Sequence, residues 1–261
     1  LIGLALAVFA LFKYYSNSSV NTITGEKQHV ALSADDEITL GLQAAPGMVE
    51  EFGGMSSNHR GQALVAATGE RLVSSSVARN SPYSYQFHLL ADSRTINAFA
   101  LPGGQIFITE ALFNRLTTNG TTVDADMLAG VLGHEIGHVV ARHSAEKMAQ
   151  MELSQGLTGA VTMATYDPAN PNTAYLAQVV GNLIQLKYGR DQELQSDNLG
   201  VRLMLEAGYN PEKLIAVMEV LKQAAGPDRT PEFQSSHPDP ENRAEKIREA
   251  IDHWKAAAKA R

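Results

Sequence analysis

The 261-residue chain contains no cysteine. That excludes disulfides, a thiolate metal site and a cysteine nucleophile. It leaves the compartment open. Positive charge is in deficit: 21 Lys and Arg against 28 Asp and Glu give a net charge of −7, which argues against nucleic acid as the main partner. Apolar runs are short. A spanning helix needs about 20 apolar residues, and LIGLALAVFALF at 1–12 stops at Lys13. Internal repeats, low-complexity segments and a βαβ alternation are all missing, so a doubly wound fold is disfavoured.

What remains is an ordinary globular composition, 44% apolar, in a chain long enough to bury a substantial core. The apolar run reads as the tail of a signal peptide or as a membrane anchor over 1–15. No A-x-A cleavage site follows it, which favours the anchor; a buried N-terminal helix is the alternative. Residues 16–32 are polar and read as a linker.

From Ser33 the pattern predicts helices. Ser33 with Asp36 resembles a capping box, Pro46 predicts a kink, and Gly53-Gly54 predicts a stop. A second helix is predicted over 61–77, then a turn at Asn80-Ser81-Pro82. SYQFHLLAD (84–92) and NAFALPGGQIFIT (97–109) predict a small sheet, the latter as two strands split by Pro102-Gly103-Gly104. One long helix is predicted from about 124 past 151, a loop at YDPANPN (166–172), and a helix from about 173 to 207 ending at Gly208. Asn210-Pro211 and Asp239-Pro240 each start a later helix. The proline-rich loop is expected to act as a lid over a cleft. The expected class is α+β, mainly helical.

VLGHEIGHVVARH (131–143) concentrates three histidines and one glutamate. On a helix His134 and His138 lie about 40° apart and can meet one cation, while Glu135 is turned about 100° from His134 and can reach a water bound there. This is the H-E-x-x-H zinc hydrolase pattern. Leu128, Leu132, Ile136 and Val139 form a core-facing arc. Gly130, Gly133 and Gly137 form another, and three glycines on one stripe predict close approach by a neighbouring element. His143 is turned roughly 140° from His138. The metzincin spacing would need Gly at 141 and His at 144, where Ala141 and Ser144 stand, so His143 reads as a hydrogen-bonded core histidine.

A catalytic zinc takes three protein ligands and leaves one position open. Glu193 and Asp197, four apart in YGRDQELQSDNLG (188–200), share a helix face. They read either as a third ligand with a carboxylate that accepts from a ligand imidazole, or as a solvated acidic face.

HEIGH, then ELQSD about fifty residues on, resembles the HtpX and CAAX-prenyl-protease family of zinc metalloendopeptidases, whose form is HExxH…ExxAD, with Ser196 in the alanine position. NAFALPGGQIFIT resembles the strand segment ahead of that family's zinc helix, and HPDPENR (237–243) resembles its C-terminal His-Pro…Arg element. The match runs from about 33 to the C-terminus and is closest to the soluble periplasmic, BepA- and LoiP-like members, without a tetratricopeptide tail.

The resemblance implies a helical gluzincin domain over 33–261 with a small mixed sheet along the cleft. It implies one zinc on His134, His138 and Glu193, Asp197 behind a ligand imidazole, and Glu135 as general base. His237 or Arg243 would stabilise the oxyanion, or His237 would block the metal's open position. Strand Gln105, Ile106, Phe107, Ile108 and Thr109 is expected to be an exposed edge that binds extended, unfolded polypeptide. The implied function is cleavage of unfolded or misassembled envelope proteins in the periplasm. A zinc-retaining chaperone and an aminopeptidase are the alternatives.

Overall fold

The computed structural model describes residues 2–158, 187–224, 232–238 and 242–260. The expected lid at 166–172 and the Asp239-Pro240 helix start lie outside the described residues. The architecture is mainly helical with a small mixed sheet, as the pattern predicts.

The N-terminal apolar run forms α1 (Ile2–Ser16), which lies along α6 (His143–Thr158). Among the described residues no helix is long and apolar enough to cross a membrane. The expected linker is instead folded: β1 (Ser18–Val20) pairs antiparallel with β2 (Lys27–His29). Side-chain amides dock this hairpin, with Asn21 donating to the carbonyl of Val140 at 2.8 Å and Gln28 to that of Ala141. They satisfy carbonyls that the end of a helix leaves without intrahelical partners.

Helix α2 (Ala34–Glu51) starts at the Ser33–Asp36 capping box, holds Pro46 internally, and is followed by Gly53 and Gly54 at positive φ. Helix α3 (His59–Ser74) follows, then a 3-10 turn Val77–Asn80. The sheet comprises β3 (Gln86–Leu90), β4 (Ala98–Leu101) and β5 (Gln105–Thr109) in the order β3-β5-β4. β3 runs parallel to β5 and β4 antiparallel to it. The strand expected at the edge is therefore the central one. All five residues of QIFIT are buried, and Phe107 stacks between His88 and Phe99 at 4.7 and 5.0 Å. A strand with neighbours on both sides has no unpaired backbone to offer a peptide; β4 has, because among the described residues it pairs only with β5.

After the short α4 (Glu110–Phe113) comes α5 (Ala125–Val140), capped by Asp124, whose side chain accepts from the amides of Asp126 and Met127. It is buried on all sides from Met127 to Val140. The single long helix expected here is two. Arg142 adopts φ 60 between α5 and α6. Its guanidinium pairs with buried Glu37 at 2.9 Å and donates to the Leu32 carbonyl at 2.6 Å, while Tyr83 also donates to Glu37 at 2.6 Å. These tertiary bonds oppose the roughly 1–2 kcal/mol that a left-handed non-glycine residue costs.

Helices α7 (Arg190–Glu206), α8 (Glu212–Ala224), α9 (Glu232–Ser236) and α10 (Arg243–Lys259) complete the described fold. Gly208 (φ 74) follows the end of α7, and Asn210 accepts from the amide of Glu212 at the start of α8. The glycine stripe meets the close neighbours it predicts. Cβ atoms built on Gly137, Gly133 and Gly130 would stand 2.7, 3.4 and 3.3 Å from Ser196, Gly200 and Leu214. Thus α7 and α8 lie against the backbone of α5, and α7 carries its acidic residues to the histidines.

Candidate metal centre

Four side chains converge where α5 faces α7. Nitrogen or carboxylate atoms of His134, His138, Glu193 and His237 all lie within 4.8 Å of one another, and all four residues are buried. The Nε2 atoms of His134 and His138 are 3.0 Å apart. Glu193 Oε2 is 3.4 Å from His134 Nε2, and Oε1 is 3.5 Å from His138 Nε2. His237 presents Nδ1 at 3.1 Å from Glu193 Oε1 and 3.3 Å from His134 Nε2.

Behind these atoms stands a shell of acceptors and clamps. His134 Nδ1 donates to Asp197 Oδ1 at 2.8 Å, which leaves Nε2 as the nitrogen that faces the other donors. Arg243 grips Asp197 through two bonds of 2.7 and 2.9 Å. Ser196 donates to the His134 carbonyl at 2.5 Å, tying α7 to α5 at the same level. Tyr188 stacks on His138 at 4.0 Å. Phe233 stacks on His237 at 4.4 Å, and its amide donates to the Ile96 carbonyl, so α9 seals that end of β4 while delivering His237.

Glu135 lies outside the four-atom cluster, fully buried, with neither carboxylate oxygen hydrogen-bonded among the described residues. His237 Nε2 is 3.7 Å away. A cleft of about 280 Å³ opens beside the centre, lined by His237 and Tyr188, by Asn97, Phe99, Ala100 and Leu101 of the β4 strand region, and by Glu51, Asp92 and Glu232.

The profile of peptidase family M48 matches residues 59–251. The chain belongs to peptidase family M48. Its relatives carry protease names. It is 32% identical over 187 residues to the beta-barrel assembly-enhancing protease of Escherichia coli (strain K12), covering 69% of this chain and 36% of that protein. It is 28% identical over 242 residues to the mitochondrial metalloendopeptidase OMA1 of Schizosaccharomyces pombe (strain 972 / ATCC 24843), covering 90% and 67%. It is 29% identical over 174 residues to the metalloprotease YcaL of E. coli (strain K12), covering 66% and 63%. The chain thus spans about a third of the length of the beta-barrel assembly-enhancing protease.

The M48 domain is a zincin-like fold, and its electrostatics fit a cation at the convergence point. Burial alone would lower His134, but hydrogen bonds to Asp197 and Glu193 outweigh it and raise it to about 9. Burial alone would raise Glu193; His237, His134 and His138 instead hold it far below the usual carboxylate range. Burial drives His138 well below the usual histidine value. An ionised Glu193 beside a neutral His138 imidazole and a His134 ring backed by Asp197 is a donor set that suits zinc.

The geometry bears on two of the expected site elements, Arg243 and the Gln105–Thr109 strand. Arg243 is 5% exposed and lies behind His134, bound to Asp197, and does not line the cleft. Its guanidinium also lies 3.5 Å from Glu193 Oε2. The Gln105–Thr109 strand is central, and β4 lines the cleft in its place. The sequence reading missed Tyr188, Phe233 and Gln195 as members of the site. Of these, only Gln195, between Glu193 and Asp197, carried a positional signal.

Proposed function

We propose that this chain is a zinc metalloendopeptidase acting on extended or unfolded polypeptide. The observation that carries this reading is the meeting of His134 Nε2, His138 Nε2 and Glu193 beside a buried Glu135 that has no hydrogen-bond partner among the described residues. His134, His138 and Glu193 would hold the metal. Zinc, when bound, would make a water acidic and polarise the substrate carbonyl. Asp197 keeps His134 in the tautomer that offers Nε2 outward, with Arg243 holding Asp197 in turn. Glu135 takes the proton from the attacking water and returns it to the leaving amine; burial holds its carboxyl above the usual range, which favours taking up a proton.

Edge strand β4 is the proposed substrate strand. The Thr109 amide bonds the Asn97 carbonyl, so Phe99 and Leu101 are bonded to β5 and Ala98 and Ala100 turn their backbone groups outward. An extended peptide can add there. His237 Nδ1 lies with the metal donors, which supports its role as an extra ligand that quiets the resting enzyme rather than as an oxyanion donor.

An aminopeptidase is the second reading, because Glu51, Asp92 and Glu232 along the cleft could hold a substrate amine. A casein-derived peptide with an acetylated N-terminus decides between the two. Cleavage at the same rate as the free peptide supports the endopeptidase; no cleavage of the blocked peptide overturns it. The proposed location is the cell envelope, with attachment through α1, where Val8, Phe9 and Phe12 are 57%, 64% and 69% exposed. A polypeptide substrate from that compartment would follow.

A further inference from the structure

His143 stays out of the four-donor cluster, yet it is fully buried and touches His138 on the side away from it. The left-handed turn at Arg142 puts it there. Its Nδ1 is 2.8 Å from His138 Nδ1, and its Nε2 is 2.6 Å from Gln195 Oε1. The two hydrogen-bond partners of His143 among the described residues are His138 and Gln195, neither a carboxylate, and an unpaired buried charge is costly, so the ring is neutral and has one N–H.

The position of that single hydrogen decides what His138 can do. The Gln195 carbonyl only accepts, so His143 donates from Nε2 and accepts at Nδ1. His138 must then donate from Nδ1, which leaves its Nε2 with a lone pair directed at His134 Nε2 and Glu193. If the two ends of the Gln195 amide changed places, each step would reverse. The amide would donate to His143 Nε2, His143 would donate from Nδ1, and His138 would carry its hydrogen on Nε2, where it could not bind a metal. Gln195 Nε2 is buried and makes no hydrogen bond among the described residues, so an exchange leaves one amide atom without a partner there either way. The structure takes the orientation with Oε1 on His143 Nε2, the one that leaves His138 Nε2 its lone pair.

We infer that Gln195, acting through His143, sets the metal-binding tautomer of His138. The inference rests on the metal reading above. It makes Gln195 and His143 positioning residues. It also makes three residues of one turn of α7 serve the centre: Glu193 as a donor, Asp197 behind His134, and Gln195 behind His138 through His143.

Two variants test it. Gln195→Met keeps the volume and removes the acceptor; Gln195→Glu keeps an acceptor. Side-chain 15N shifts of the histidines are recorded on the metal-free chain, and zinc affinity is measured by competition with a chromophoric chelator. In the unaltered chain His143 should be protonated on Nε2 and His138 on Nδ1. Gln195→Met should show mixed tautomers at both rings and bind zinc about 10- to 100-fold more weakly. Gln195→Glu, recorded at a pH high enough to keep His143 neutral, should keep the tautomers and stay within about threefold of the parent affinity. Protonation of His143 on Nδ1 in the unaltered chain overturns the inference, and so does a Gln195→Met variant with unchanged shifts. Failure of the unaltered chain to take up zinc would remove the metal reading separately, while the shifts of the metal-free chain still decide the relay.

Discussion

Replacing Gly137 by alanine is expected to damage the centre more than the fold. A Cβ there would stand 2.7 Å from Ser196 Oγ, 2.8 Å from its carbonyl oxygen and 3.2 Å from its Cα. Ordinary contact begins at 3.4 Å, so the carbonyl must retreat by 3.4 − 2.8 = 0.6 Å. Ser196 lies between Glu193 and Asp197 on α7, and its hydroxyl bonds the His134 carbonyl. A shift of this turn therefore moves Glu193 and Asp197 away from both histidines at once. Alanine gains about 1 kcal/mol of helix propensity over glycine, and overpacking costs about 1–3 kcal/mol. The net loss of stability should be about 0–2 kcal/mol. A misplacement near 1 Å costs about a hundredfold in catalysis, so roughly half that shift should lower kcat/KM by about tenfold or more. Gly133→Ala meets Gly200 only at 3.4 Å and should be close to neutral in both properties. Urea denaturation and casein cleavage measure the two effects. A Gly137→Ala enzyme of parental kcat/KM, or a Gly133→Ala enzyme equally impaired, would refute the argument.

Three further outcomes are expected. Arg142→Ala leaves Glu37 buried without its cation; breaking a buried pair costs about 3–5 kcal/mol, and with Arg142 19% exposed the loss in urea denaturation should be about 2–3 kcal/mol. A loss below about 1 kcal/mol would show that Tyr83 alone satisfies Glu37. Burial alone would raise Asp124, but bonds from Lys213 and Thr118 outweigh it and lower it to about 2. A carboxylate lowered on folding stabilises the protein above its unfolded value, near pH 4, and loses that contribution as pH falls toward 2. Asp124→Ala should therefore cost about 1 kcal/mol at pH 7 as a lost cap, with the gap from the parent narrowing between pH 4 and pH 2.5; a constant gap contradicts this. Ala100→Pro removes an outward N–H at the free edge of β4 and should raise KM about fivefold, the worth of one hydrogen bond, with little change in Tm. An unchanged KM would remove β4 as the substrate strand.

Much of the site was legible because its signals are local. The HEIGH spacing puts two imidazoles on one helix face, the glycine stripe announces a close neighbour, and the Ser33–Asp36 pair marks a helix start. What escaped depends on contacts distant in sequence. Arg142 is neither Gly, Pro nor Asn, so nothing local warns of a left-handed turn; Glu37 and the Leu32 carbonyl hold it open. Without that turn His143 seemed to point away from His138, and its bond to Gln195 was invisible. The order of strands is likewise not written in a period of two. QIFIT reads the same at an edge or in the middle, and only the parallel pairing with β3 puts it in the middle. The hairpin at 18–29 was hidden by its polarity, because its anchors are the amides of Asn21 and Gln28 rather than apolar side chains.

Metal analysis of the purified chain and of Glu135→Gln, run beside casein cleavage by both, tests the central claim most directly. The account predicts about one zinc per chain in each protein, because Glu135 is no part of the donor cluster. It predicts cleavage by the unaltered chain, its loss in a chelator, its return with added zinc, and none by Glu135→Gln. Zinc missing from Glu135→Gln, or cleavage by that variant at the parental rate, would contradict it.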